Sequence, residues 1–146
     1  MWTGLTSFFS TLESTFAASS GANLLIFLVG NFSKDGGQGV QALAAYTAGF
    51  NRLAALVASH KALLKVSSFV IIPGPSDPSP IDAFPRPPLP PSVIKQFTEK
   101  VTAWRSVPCS HFNFLSQVPG TVSGSNPMRL RFFSQEIVFF RDGARV

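Results

Sequence analysis

The sequence predicts an α/β layered domain organised on adjacent parallel strands. Two apolar runs, residues 24–29 and 66–72, each stop at a glycine turn: Gly30-Asn31-Phe32 after the first, Pro73-Gly74-Pro75-Ser76-Asp77-Pro78 after the second. A segment with helical spacing lies between them, and the three together read as a βαβ unit. The first run is continuously apolar, the mark of a strand covered on both faces. In such sheets ligands bind beyond the carboxyl ends of the strands, so the two turns are where chemistry would sit.

The elements follow in chain order. Leu5, Phe8, Phe9, Leu12 and Phe16 recur at helical spacing and predict an amphipathic helix over 5–17, ended by Ser19-Ser20-Gly21. Residues 24–29 are the first strand, and 33–39 are a polar, glycine-rich loop. Val40, Leu43, Ala44, Phe50, Leu53, Ala54 and Val57 predict a second helix over about 40–59. Residues 66–72 are the second strand. Nine of the 12 prolines fall in 73–91, a density that excludes a helix or a central strand and predicts an ordered crossing loop. Ser92 is a candidate N-cap for a third helix carried by Val93, Phe97, Val101 and Trp104. Phe112 to Phe114 is a candidate short strand, and Gly120 to Ser125 reads as a surface loop. Residues 128–133 and 136–140 read as strands joined in a hairpin through Ser134-Gln135. The expected order is α-β-α-β-loop-α-β-β, without internal repeats.

Composition bounds the function. The 146 residues make one ordinary domain. Charged residues are 13% against 45% hydrophobic, and 15 of the aromatic residues are phenylalanine. That charge content lies well below the usual quarter and implies surface meant to be covered by other protein. The net charge of +5 permits contact with nucleic acid. The cations are scattered, however, except for Arg129, Arg131, Arg141 and Arg145 near the end. A single cysteine, Cys109, cannot form an intramolecular disulfide and fits a reducing compartment. No apolar run approaches the ~20 residues that span a bilayer, and no signal peptide is visible.

One ordered series of motifs is specific. It runs Val29-Gly30-Asn31-Phe32-Ser33, Phe69-Val70-Ile71-Ile72-Pro73-Gly74-Pro75-Ser76-Asp77-Pro78, Pro85-Arg86-Pro87-Pro88-Leu89, Asn126-Pro127-Met128-Arg129-Leu130 and Ser134-Gln135-Glu136-Ile137-Val138-Phe139-Phe140-Arg141. Over about residues 5–143 this series resembles the B-subunit family of DNA polymerase epsilon. The resemblance implies a calcineurin-like phosphoesterase fold used without catalysis, as a partner of the polymerase subunit in the nucleus. It implies that residues 1–146 form a partial, inactive phosphoesterase domain, truncated at both ends, with the proline-rich loop 73–91 inside it. Full members also carry an N-terminal helical region and an oligonucleotide/oligosaccharide-binding-type domain, so the chain is expected to be a fragment.

The same resemblance assigns a degenerate site. Active phosphoesterases place Gly-Asp after one strand and Gly-Asn-His-Asp or Gly-Asn-His-Glu after the next. Here Gly30 matches, and Asn31 replaces the metal-bridging carboxylate. Gly74 matches, Pro75 takes the place of a metal ligand, Ser76 takes that of the histidine, and Asp77 remains. A two-metal hydrolase needs a dense carboxylate and imidazole set, so no metal and no cofactor are expected. Asp77 reads as a turn-forming side chain before Pro78. His60 reads as a solvated or capping histidine at a helix end, and His111 as structural. Ser33-Lys34-Asp35-Gly36-Gly37 lacks the spacing of a phosphate cradle. Arg129, Arg131 and Arg141 are candidate contacts to a DNA backbone, weak and without sequence preference. Two rival readings are an active metallophosphoesterase fragment and an adaptor displaying Pro85-Arg86-Pro87-Pro88 as a polyproline ligand. With flanking strands missing, Phe132, Phe133, Phe139 and Phe140 are expected to be uncovered, and the isolated chain to be insoluble or molten.

Overall fold

The second apolar run forms the central strand, and everything else is arranged around it. The computed structural model describes residues 2–16, 24–32, 40–79, 83–105, 120–132 and 134–142. The elements are α1 (Trp2–Phe16), β1 (Leu24–Val29), α2 (Val40–Ser59), α3 (Lys61–Val66), β2 (Ser67–Ile72), α4 (Pro91–Arg105), β3 (Thr121–Ser123), β4 (Met128–Phe132) and β5 (Gln135–Phe139). The α/β class is as expected. β1 pairs parallel with β2 in the register Leu24↔Ser67 through Val29↔Ile72. β2 pairs parallel with β3, giving the order β1-β2-β3. β4 and β5 form a separate antiparallel hairpin.

Alternation along the strands sorts the apolar side chains into two cores. Leu24, Ile26 and Leu28 of β1, with Phe69 and Ile71 of β2, face the helices. There they meet Phe50, Leu53 and Val57 of α2 and Val93, Phe97 and Val101 of α4. Phe69 and Phe97, both fully buried, pack edge to face with ring centroids 5.4 Å apart. Leu25, Phe27 and Val29, with Val70 and Ile72, face the other way and are covered by Met128, Leu130 and Phe139 of the hairpin. The result is three layers: helices, parallel sheet, hairpin. β2 is buried at all six positions because it has a neighbour on either edge and a layer on either face.

Several expectations are corrected. Thr121–Ser123 is a strand rather than part of a surface loop. It is bonded on at Phe69 N–H to the Gly120 carbonyl (2.9 Å) and Gly124 N–H to the Ile71 carbonyl (2.8 Å). Three residues between glycines are too short to show a period, and only tertiary pairing makes them a strand. The third helix opens at Pro91, one residue before the expected cap Ser92. Proline suits the first helical turn, which has no use for its missing N–H. A short helix, α3, precedes β2, so the strand starts at Ser67 instead of Val66. The hairpin is present, but Gln135 belongs to its second strand, paired with Phe132. Phe139 is not left uncovered: it stacks on Phe27 at 4.2 Å between centroids. Phe140 is 59% exposed, against Phe84. The candidate strand Phe112 to Phe114, Cys109, His111, residues 33–37, Phe133 and the side chain of Phe132 lie outside the described residues.

His60 is the largest correction. It is buried, and its Nδ1 lies 2.7 Å from Oε2 of Glu13 on α1. The other Glu13 oxygen accepts the Ala62 N–H at 3.1 Å, so one carboxylate fastens α1 to the α2–α3 junction. Nothing in a His-Lys dipeptide at a helix end signals a partner 47 positions away. The hydrogen bond from His60, followed by that from Ala62 and the histidine's charge, outweighs partial burial and lowers the Glu13 pKa. A depressed carboxyl pKa contributes stability above the unfolded value, about 4.3, and that stability is lost as pH falls through the folded value. Melting curves collected from neutral to acid pH should therefore show a steeper loss of stability below about pH 4.3 for the native chain than for Glu13→Gln. Equal slopes would show that this carboxylate does not fasten α1.

Candidate functional site

The two glycine turns meet at the carboxyl ends of β1 and β2. The Gly30 N–H continues the ladder to the Ile72 carbonyl at 3.2 Å, which brings residues 30–32 against residues 73–77. Gly74 is required by this meeting. A Cβ on residue 74 would overlap the Gly30 carbonyl oxygen and the Asn31 side-chain oxygen, and the first of these is backbone.

The side-chain oxygens of Asn31 and Asp77 are bonded to backbone amides of the turns. The Asn31 Oδ1 accepts the Ser76 N–H at 3.0 Å. The Asp77 Oδ2 accepts the Gly74 N–H at 2.8 Å, and the Asp77 N–H returns to the Gly74 carbonyl at 3.2 Å. Asp77 is the turn-forming side chain expected from its place before Pro78, and it is 3% exposed. Pro75 offers no side-chain donor, and Ser76 is exposed. Tyr46 of α2 lies near this turn. Burial first, and the Asp77 carboxylate second, push its hydroxyl well above the ordinary tyrosine range.

The proline-rich segment closes over the turn. Arg86 is buried and donates from Nη1 to the Asp77 carbonyl at 3.1 Å. Its backbone pairs with Asn126 in both directions, at 2.8 and 3.0 Å. Asn126, fully buried, then holds the Arg141 backbone through its own amide: Nδ2 donates to the Arg141 carbonyl (2.9 Å), and Oδ1 accepts the Arg141 N–H (3.1 Å). The Leu89 N–H is taken by the Ser123 hydroxyl at 3.0 Å. The peptide bonds preceding Pro85 and Pro127 are cis. Asn31 and Arg141 are thus joined through one run of hydrogen bonds, and within Pro85-Arg86-Pro87-Pro88 the arginine is turned into its own protein while Pro85 and Pro88 are exposed. Sequence reasoning missed the roles of Arg86 and Asn126, whose partners are remote in the chain.

Among the described residues no group of three or more His, Cys, Asp or Glu could hold a metal ion. The six positions singled out in the sequence, Gly30, Asn31, Gly74, Pro75, Ser76 and Asp77, are brought together at the two turns. The three candidate DNA contacts are not equivalent. Arg129 and Arg131 share the exposed face of the hairpin, where Arg129 meets Glu136 at 3.0 Å. Arg141 lies beside β1 instead, lining a groove there.

The sequence profile of the family described as the B subunit of DNA polymerases alpha and epsilon matches residues 4–144. The chain belongs to that family. It is 36% identical over 92 residues to the B subunit of DNA polymerase epsilon from Arabidopsis thaliana, covering 63% of this chain and 14% of that protein. It is 30% identical over 145 residues to DNA polymerase epsilon subunit 2 of Homo sapiens, covering 97% and 24%. It is 29% identical over 140 residues to the B subunit of DNA polymerase epsilon from Schizosaccharomyces pombe, covering 92% and 21%. The chain therefore spans a quarter or less of the length of these relatives. No helix among the described residues is long and apolar enough to cross a membrane.

Gly74→Ala should destabilise the protein by more than about 3 kcal/mol, since backbone atoms must move to admit the methyl group. Ser76→Ala keeps the N–H that Asn31 accepts, and should change stability by no more than about 0.5 kcal/mol. Denaturant titration of the two variants checks the pair. A tolerated Gly74→Ala would contradict the close approach.

Proposed function

We propose that the chain is part of a non-catalytic accessory subunit of DNA polymerase epsilon, with the layout of an inactive, partial calcineurin-like phosphoesterase. The single observation that carries this reading is the pair of turns. They stand at the carboxyl ends of adjacent parallel strands, where a two-metal site would be built. Their polar groups, Asn31 and Asp77, are instead taken up by Ser76 N–H and Gly74 N–H. The family match over residues 4–144 supports the polymerase association. The role is scaffolding in nuclear DNA replication, with the catalytic subunit and other replication proteins as partners. The whole of residues 1–146 then forms one partial domain, with loop 73–91 as an internal clasp. DNA contact through Arg129, Arg131 and Arg141 is weak and independent of sequence, and it falls steeply as salt rises.

The adaptor reading loses support from the burial of Arg86 within its own protein. The phosphoesterase reading would need ligands that Asn31 and Pro75 do not supply. Calorimetric titration with manganese should show no stoichiometric micromolar site, in the native chain or in Asn31→Asp, and neither should hydrolyse phosphate mono- or diesters. Co-expression with the catalytic subunit of DNA polymerase epsilon should recover a complex. A tight manganese site with hydrolysis would overturn the non-catalytic reading, and absence of any complex would overturn the accessory-subunit reading.

A further inference from the structure

Folding gathers cations that the sequence scatters. Arg52 on α2, Lys61 and Lys65 on α3, and Lys95 on α4 are exposed, and Lys100 on α4 is half-buried. The three helices belong to one layer: α2 and α4 pack on each other over the sheet, and α3 touches both. Leu53 and Val57 of α2, Leu63 and Leu64 of α3, and Phe97 and Val101 of α4 are turned into the core, which puts the charged residues on the outer side. The sequences of these helices hold one carboxylate, Glu99, 4.0 Å from Lys95. Glu13 of the neighbouring α1 is turned to His60. The excess positive charge therefore sits on the helical layer, across the sheet from the hairpin. On the hairpin, Arg129 is bonded to Glu136, and Arg131 stands opposite the same carboxylate in the strand register.

We infer that the outer face of α2, α3 and α4 binds the phosphate backbone of duplex nucleic acid, without reading its sequence. Three features select that occupant. The first is the charge itself: a spread of cations complements a duplex, which carries one phosphate charge per roughly 1.7 Å of axis. Four of the five are lysines, compact point charges on flexible stems that can follow a backbone without fixed geometry. The second is the absence of a stacking platform among the described residues of this face. The exposed phenylalanines lie elsewhere: Phe8 on α1, Phe84 in the proline-rich segment and Phe140 after β5. Unpaired bases would have no ring to lie on. The third is the absence of an anchor for a folded protein. Between the cations the exposed residues are small or uncharged, Ala48, Ala55, Gln96, Thr102 and Ala103. The one exposed large aliphatic residue of these helices, Leu43, stands at the amino end of α2. Protein interfaces depend instead on buried aromatic or arginine anchors near their centre. This surface is separate from the hairpin arginines and stands whether or not the protein serves a polymerase.

The test uses the full chain and short fluorescein-labelled DNA duplexes of two unrelated sequences, with anisotropy read over a series of salt concentrations. Both duplexes should bind alike, with a slope of log K against log salt of about −4, the value for four to five phosphate contacts. Arg52→Ala combined with Lys65→Ala should make that slope shallower by about two. Arg129→Ala combined with Arg131→Ala removes the same charge from the hairpin and should change the slope by less than about one. Lys95→Glu, a single change at an exposed position, should weaken binding several-fold and gives a reading independent of the double variants. Circular dichroism checks that each variant is folded. Equal changes from the helical and hairpin pairs would overturn the inference, because net charge alone would then account for binding. So would the absence of duplex binding at low salt, or tighter binding of single-stranded DNA. Displacement of the duplex by polyglutamate at equal charge concentration would overturn it too, and would make the occupant an acidic polypeptide.

Discussion

The contact between Gly74 and the Gly30-Asn31 turn is the constraint on which the carboxyl end of this sheet depends. Parallel pairing of β1 with β2 in direct register brings both strands to an end at one level. Two turns must then share a space that admits no side chain at residue 74. Once they share it, Asn31 can reach the Ser76 N–H, and Asp77 can close back on Gly74. The Asp77 carbonyl is left to receive Arg86, and Arg86 fixes Asn126, which fixes Arg141. Residues from five separate stretches of the chain are joined by bonds that depend on one glycine.

That sequence of bonds explains how a ligand-binding position can be filled without a ligand. A parallel sheet leaves unpaired backbone groups at the carboxyl ends of its strands, and these must be satisfied by something. In this chain the protein's own amide and carboxylate satisfy them. Buried polar groups arranged in this way rigidify the region.

The helices and strands were legible in the sequence wherever a period ran long enough. The α2 face, with Phe50, Leu53, Ala54 and Val57, and the apolar run of β1 are examples. The two turns were legible because glycine and proline punctuate the chain there, and Asp77 acts as its place before Pro78 implies. Three residues of β3 showed no period and became a strand only through pairing with β2. His60 has the local sequence of a solvated helix end, because its partner, Glu13, lies on another helix. Arg86 has that of a displayed proline-rich run, whereas its side chain is drawn inward by a carbonyl oxygen. In each case local pattern was overruled by a contact between residues distant in sequence.

The central claim is that the paired turns are locked by their own hydrogen bonds and by no metal. Amide hydrogen exchange at Gly74 and Ser76 tests it most directly, measured once with a chelator and once with excess manganese. The account predicts that both amides are protected in the chelator and that manganese leaves their rates unchanged. Amides that exchange freely in the chelator and become protected only when manganese is added would contradict it.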